Sequence, residues 1–280
     1  MIRIFTDTSA NLPSALISRH GIEVVPFSYT INGEPGTLEG KAFYEAMRQG
    51  AEIKTSMVNI ATFMTPMRKA LERGEDVLYI GMSGGISGTA HAASVATSEL
   101  REEFPDRRIA AVDTLAASLG EGLLVLKAVA WRDEGKDFSE ICERLEDEKK
   151  RMCQYFTVDD LEYLKRGGRI SKLASVVGTV LKIKPILTGD HEGKIILCGK
   201  ARGRKQALLS LAEHDERLVT DKTALIGIAH GDDEAGAQEL LEMLRERGFS
   251  GECLTEIYEP VTGSHVGPGT VALFFMGTHK

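Results

Sequence analysis

Gly81-Met82-Ser83-Gly84-Gly85 fits the G-x-S-x-G pattern of a nucleophile elbow and follows an apolar run of strand character, Val77 to Ile80. With His265 near the C-terminus the order serine, acid, histidine is kept, and the chemistry would be acyl transfer by an activated serine, as in an esterase. Two features oppose this. An elbow needs a helix directly behind the serine, whereas Gly84-Gly85-Ile86-Ser87 reads as four further loop residues, and no HGGG-type oxyanion segment is visible. The same loop supports a second chemistry, the holding of an anion. Ser83 or Ser87 from this loop, Thr55 or Ser56 from another, and backbone N–H groups where a helix opens at Gly88-Thr89 would grip a carboxylate through charge-assisted hydrogen bonds. Ser87 also reads as a simple N-cap of that helix. A cap and an anion use the same helix end, so both readings stand.

Other polar residues sit beside glycines. Arg166, Arg169, Arg202 and Arg204 lie in what read as turns, either as solvated surface or as bidentate partners for a carboxylate or phosphate. His265 lies in Gly263-Ser264-His265-Val266-Gly267-Pro268-Gly269, read as a glycine-rich loop, and is either a surface histidine or part of a site. Neither a P-loop nor a usable dinucleotide fingerprint is present. A nucleotide- or phosphate-binding regulator is therefore a third reading that no motif requests.

The elements that position these residues alternate along the chain. Ile2 to Thr6 is a strand running into Asp7-Thr8-Ser9, and Ile22 to Tyr29 is a second strand whose Pro26 favours an edge. A helix covers about Lys41 to Arg48. Ile60 to Arg73 has helical spacing, with its regular part expected to begin near Thr62 to Pro66 because an interior proline costs about 3 kcal/mol. After the Val77–Ile80 strand, Ala90 to Ala96 is unusually small-sided, which means close helix-on-sheet packing or room for a long apolar ligand. A strand at Ile109 to Val112 delivers Asp113-Thr114, and a small-residue loop with Ser118 precedes the next helix. This βαβα pattern predicts a parallel sheet flanked by helices.

Beyond about Met152 the pattern changes. Ile183 to Ala201 reads as an antiparallel hairpin around Asp190-His191-Glu192-Gly193, and Thr255 to Val261 with Thr270 to Met276 as a closing pair of strands. The expected architecture is α/β with two domains, residues 1–152 built on a parallel sheet and residues 153–280 on a mixed sheet, with a ligand between them. The 280 residues suffice for two such cores. A net charge of −7 argues against a nucleic-acid binder. No apolar run approaches the ~18 residues of a membrane span, and the N-terminus lacks a signal-peptide pattern. The four cysteines show neither a disulfide framework nor metal-ligand spacing, so a cytoplasmic protein without metal or cofactor is expected.

Taken in order, several segments resemble the DegV family of bacterial fatty-acid-binding proteins. They are Thr6 to Leu12; Lys54-Thr55-Ser56; Ser83 to Thr89; Val112-Asp113-Thr114 with Ser118-Leu119-Gly120; Asp159 to Ser171; Lys184 to Leu187; Arg202 to Lys205; and Gly263 to Gly269. The resemblance covers nearly the whole chain. It implies two α/β domains enclosing one long-chain fatty acid, with Thr55 and Ser87 at the positions that hold its carboxylate and Ser56, Ser83 and Gly88 beside them. It further implies that Arg169, Arg202 and His265 lie at the head-group end, where a partner fatty acid kinase would make acyl-phosphate for phospholipid synthesis. Arg166, Arg204 and Ser118 are further residues of those segments. A protein of this kind carries ligand and performs no chemistry itself, touching a membrane transiently if at all. The chain departs from the family at Ser83-Gly84, where paired serines are frequent, and at Thr55-Ser56-Met57-Val58, where Thr-Ser-Gln-Pro is frequent. Burying about fifteen methylenes at about 0.8 kcal/mol each is a gross gain of roughly 12 kcal/mol, ample to retain a lipid.

Overall fold

In the computed structural model, residues 1–170 and 183–278 are described, so Ser171 of the segment above lies outside them. The first part of the chain forms β1 (Ile2–Asp7), α1 (Ser14–His20), β2 (Glu23–Val25), β3 (Ser28–Ile31), β4 (Glu34–Pro35), α2 (Gly40–Arg48), β5 (Ile53–Ser56) and α3 (Ile60–Glu72). It continues through β6 (Asp76–Gly81), α4 (Thr89–Glu103), β7 (Ile109–Asp113), α5 (Leu119–Asp133) and α6 (Phe138–Glu148). Strands β2-β1-β6-β7 make a parallel sheet in that order. Successive residues of β6 point to opposite faces. Val77 and Tyr79 join a core with Phe63, Met67 and Ala93, while Leu78 and Ile80 join another with Leu119 and Ile141. Both faces are covered, which is why the strand reads as a continuous apolar run. Ala92, Ala93 and Ala96 are buried in the first of these cores, with α3 packed against α4, so these alanines serve close helix packing.

Two prolines act differently from the sequence expectation. The strand expected from Ile22 to Tyr29 is broken around Pro26, leaving β2 at the edge of the parallel sheet and β3 in a separate antiparallel sheet of order β4-β3-β5. Helix α3 is regular from Ile60, because Asn59 caps it by accepting the Thr62 N–H at 3.0 Å; Pro66 lies inside it. The small sheet also corrects the placing of Thr55 and Ser56 in a loop. They end strand β5, in register with Tyr29 and Ser28.

The remaining elements are β8 (Met152–Thr157), α7 (Glu162–Arg166), β9 (Ile183–Gly189), β10 (Ile195–Arg202), α8 (Arg204–Leu218), β11 (Ile226–His230), α9 (Glu234–Glu246), β12 (Cys253–Ile257), α10 (Pro260–Val266) and β13 (Val271–Met276). They build a mixed sheet of order β10-β9-β8-β13-β11-β12, antiparallel except for the β11–β12 pair. The expected closing pair is not a pair: β12 lies beside β11, and β13 runs between β8 and β11. Between them, the segment read as a loop is helical. Glu259 accepts the Val261 and Thr262 N–H groups at 2.6 Å each, Pro260 supplies a preset first turn, and Gly267 closes the helix at φ 83°. One core takes Ile4 and Leu78 from the parallel sheet together with Phe156, Leu187 and Phe274 from the mixed one.

Under the strand ends lies a buried carboxyl pair. Tyr79 Oη and Ser9 Oγ donate to Asp7 at 2.5 Å each, and Thr6 Oγ1 donates to Glu121 at 2.8 Å. Ser9 Oγ also lies 2.7 Å from Glu121 Oε2, yet a hydroxyl has one hydrogen to give. The second contact is favourable only if one of the two carboxyls carries a proton, and the stronger upward shift falls on Glu121. Burial, then the charge of Asp7, pushes the Glu121 carboxyl well above its ordinary range. With a raised folded-state pKa, this group's contribution is fully present below the unfolded carboxyl pKa and is lost as pH rises through the folded one. Glu121→Gln, whose amide donates to Ser9 and still accepts from Thr6, is therefore expected to remove that decline and stabilise the protein at neutral pH by about 1 kcal/mol, roughly 2–4 °C. Thermal melts across pH would show it; parallel pH slopes for both proteins would rule out the shared proton.

Candidate functional site

A cavity opens where the parallel sheet, the small sheet and the mixed sheet meet. Its space, open mouth included, is about 810 Å³. The walls are mostly apolar: Phe27, Met57, Met82 and Ile86; Ala116 and Ala117 after β7; Phe156 and Phe274 of the mixed sheet; Leu164, Val261 and Val266. Loops at the carboxyl ends of β6 and β7 provide one side, as in open α/β sheets. The turn of the β9–β10 hairpin provides another, locked to the first by Ser83. Ser83 is fully buried; its Oγ donates to the Gly193 carbonyl at 2.9 Å and accepts the Gly85 N–H at 3.1 Å. Gly193 has φ 72°, and a Cβ there would sit 2.0 Å from Ser83 Oγ, so only glycine allows this approach.

The polar end of the cavity gathers residues from three elements. Thr55 Oγ1 of β5 lies 3.0 Å from His265 Nε2 of α10. Burial first, and the positive charge of Arg169 second, pushes the His265 imidazole down to about 4, so it is neutral at physiological pH. Gly167 lets the chain pass against this ring, since a Cβ would lie 2.2 Å from His265 Nδ1. Half-buried Arg169 donates Nε to the Ile86 carbonyl at 3.0 Å and Nη1 to the Gly167 carbonyl. Among the described residues no carboxylate lies within ion-pair distance of it, and burial lowers its pKa from the ordinary value. Ser87 stands in the wall one residue before the α4 cap; its Oγ donates to Thr89 Oγ1 at 2.9 Å and accepts the Thr89 N–H at 3.3 Å. It thus serves the helix start while facing the cavity.

The structure brings together Thr55, Ser56, Ser87, Ser118, Arg169 and His265 in one lining. It does not bring in the others. Ser83 supports the hairpin and makes no contact with His265, whose partner is Thr55, and the helix begins only at Thr89; the elbow reading fails on both counts. Gly88 is exposed at the start of α4 beneath Met57 Sδ. Arg166 stacks on the Tyr163 ring, 4.8 Å from its centroid, outside the cavity. Arg202 is exposed at the end of β10, and Arg204 pairs with Asp233 and, at 3.8 Å, with Asp159. Nor is His265 a surface loop residue, since it sits in a helix against Thr55. Sequence reasoning missed Gln154, Tyr258 and Thr262 in the wall; the Glu259-Pro260 helix start flanked by the last two was the available signal. Among the described residues no cluster of histidine, cysteine, aspartate and glutamate could hold a metal ion, and no helix is long and apolar enough to cross a membrane.

Against this geometry, the model of a family described as uncharacterised protein, DegV family, matches residues 1–278. A DegV domain-containing protein of Clostridium perfringens is 39% identical over 284 residues, covering 99% of this chain and 98% of its own. The solved structure of a fatty-acid-binding DegV family protein from Thermus thermophilus is 32% identical and covers 99% of both chains with a TM-score of 0.89. That of DegV, a fatty acid binding protein from Bacillus subtilis, is 29% identical over 99% of both chains, with a TM-score of 0.86.

Proposed function

The chain belongs to the DegV family, and from that premise we infer that it binds one long-chain fatty acid in the cavity, with the carboxylate between Thr55, Ser87, His265 and Arg169. The observation that carries this is an apolar cavity with one cationic end, at which Arg169 has no carboxylate partner among the described residues. A bound carboxylate supplies that partner. With its proton on Nε2, neutral His265 donates to Thr55 Oγ1, leaving the Thr55 hydrogen for the ligand. Ser87 turns its hydrogen from Thr89 to the carboxylate and still accepts the Thr89 N–H.

The reading extends to a partner kinase that phosphorylates the carboxylate for phospholipid synthesis, with this protein a cytoplasmic carrier doing no chemistry itself. Two features support it. Ser56 and Met57 in the lining are exposed, so the polar end lies at the mouth. His265 also borders an outer groove lined by Lys54 and Arg166, which would receive an incoming phosphoryl donor. On this view residues 1–152 and 153–280 act as two domains closing over the acyl chain.

Mass spectrometry of the purified protein, native and after organic extraction, tests the carrier. A stoichiometric addition that extracts as a long-chain fatty acid is the expected result, and a delipidated protein that takes up none would sink it. Ser87→Ala is expected to weaken binding about three- to tenfold, the worth of one hydrogen bond, with the fold intact. Unchanged affinity in a ligand-exchange titration would remove Ser87 from the site.

A further inference from the structure

Ser118 lies at the end of the loop after β7, directly before α5, with φ 54° and ψ −141°. This is a backbone region that glycine occupies freely and other residues only under strain. A serine is nevertheless present, 1% exposed, in the cavity wall, and its Oγ makes no hydrogen bond of good geometry, with the Tyr258 phenol as a polar neighbour. Strain and a buried hydroxyl without a well-formed hydrogen bond are both unfavourable, and a structural role would be served better by glycine. The turn has the shape of a nucleophile elbow, Ala116-Ala117-Ser118-Leu119-Gly120, but no histidine or carboxylate stands within hydrogen-bond distance of Oγ to activate it. The hydroxyl is therefore placed to bind and not to attack.

Its surroundings define what it would bind. The Tyr258 phenol lies beside it, and Thr262 Oγ1, also buried in the wall, has the Glu259 carboxyl beside it and likewise makes no hydrogen bond of good geometry. Glu259, which caps α10, is close enough to Tyr258 for its charge to raise the phenol, and it disfavours an anion here, whereas Arg169 favours one at the mouth. We propose that Ser118, Tyr258 and Thr262 form a second polar subsite for a neutral oxygen carried on the hydrocarbon chain, so that the preferred ligand is a hydroxy or oxo fatty acid; this rests on the fatty-acid reading above.

The test compares stearate with a set of positional isomers of hydroxystearate on delipidated wild type and on Ser118→Gly, which keeps the backbone conformation without strain. At least one isomer is expected to bind wild type about tenfold or more tighter than stearate. Ser118→Gly is expected to lose that preference while binding stearate within about twofold and melting no lower than wild type. Stearate matching every isomer on wild type overturns the subsite, as does a preference that survives in Ser118→Gly or labelling of Ser118 by a fluorophosphonate. If wild type binds neither stearate nor any isomer, the fatty-acid reading itself fails.

Discussion

Arg169→Met is expected to lower affinity for a long-chain fatty acid about ten- to hundredfold while leaving affinity for its methyl ester unchanged. The guanidinium is fixed before ligand arrives, by the Ile86 carbonyl at 3.0 Å and the Gly167 carbonyl, which leaves its other N–H groups for a carboxylate. A hydrogen bond to a charged partner contributes about 1.5–3 kcal/mol, which sets the range. Methionine keeps the apolar stem and removes a charge that burial penalises, so the ligand-free protein is expected to melt no lower than wild type. The variant also relieves His265 of one of the two influences holding it near 4. Because its folded-state pKa is depressed, neutral His265 contributes stability above the ordinary histidine pKa, and this is lost as pH falls through about 4; in the variant the loss moves to higher pH. Displacement of a fluorescent fatty acid, read for acid and ester, separates charge from shape. Wild-type affinity for the acid in Arg169→Met would place the carboxylate elsewhere.

The contrast between Arg169 and its neighbours marks the limit of what the sequence makes legible. Arg166-Gly167-Gly168-Arg169 offers two arginines that each adjoin a glycine. Helix α7 ends at Arg166, and Gly168 at φ 72° turns the chain, so that Arg169 enters the cavity wall while Arg166 stacks on Tyr163. No composition or period distinguishes them. Where a regular element decides, the reading is firmer. The β6 strand and the glycine loop beyond it follow from an apolar run meeting glycines, and the exposed Arg202 beside buried Ala201 follows the two-residue period of β10. Short elements behave otherwise. Helix α10 has seven residues and holds Gly263, too few turns for a period, so it is visible only through its capping residues. The torsion of Ser118 is set by tertiary packing and leaves no local signal.

Lengthening a saturated fatty acid from about ten to about sixteen carbons is expected to tighten binding roughly a hundred- to a thousandfold, then to gain nothing further. Transfer of each methylene from water to an apolar wall is worth about 0.8 kcal/mol, nearly fourfold, and ordering the chain returns part of it, leaving about two- to threefold per carbon. The walls that collect this gain are Phe27, Met82, Phe156, Phe274 and Val266, from five separate elements or loops, so the effect requires all of them to face one chain. Since ligand binds the folded state alone, melting temperature at fixed ligand concentration should climb with chain length in the same order. The carbon number at which both curves flatten reads the depth of the cavity, beyond which added methylenes meet closed packing and not open space. Affinity that is flat with chain length would mean that the protein holds the carboxylate and leaves the hydrocarbon in water, and the apolar cavity would then have some other occupant.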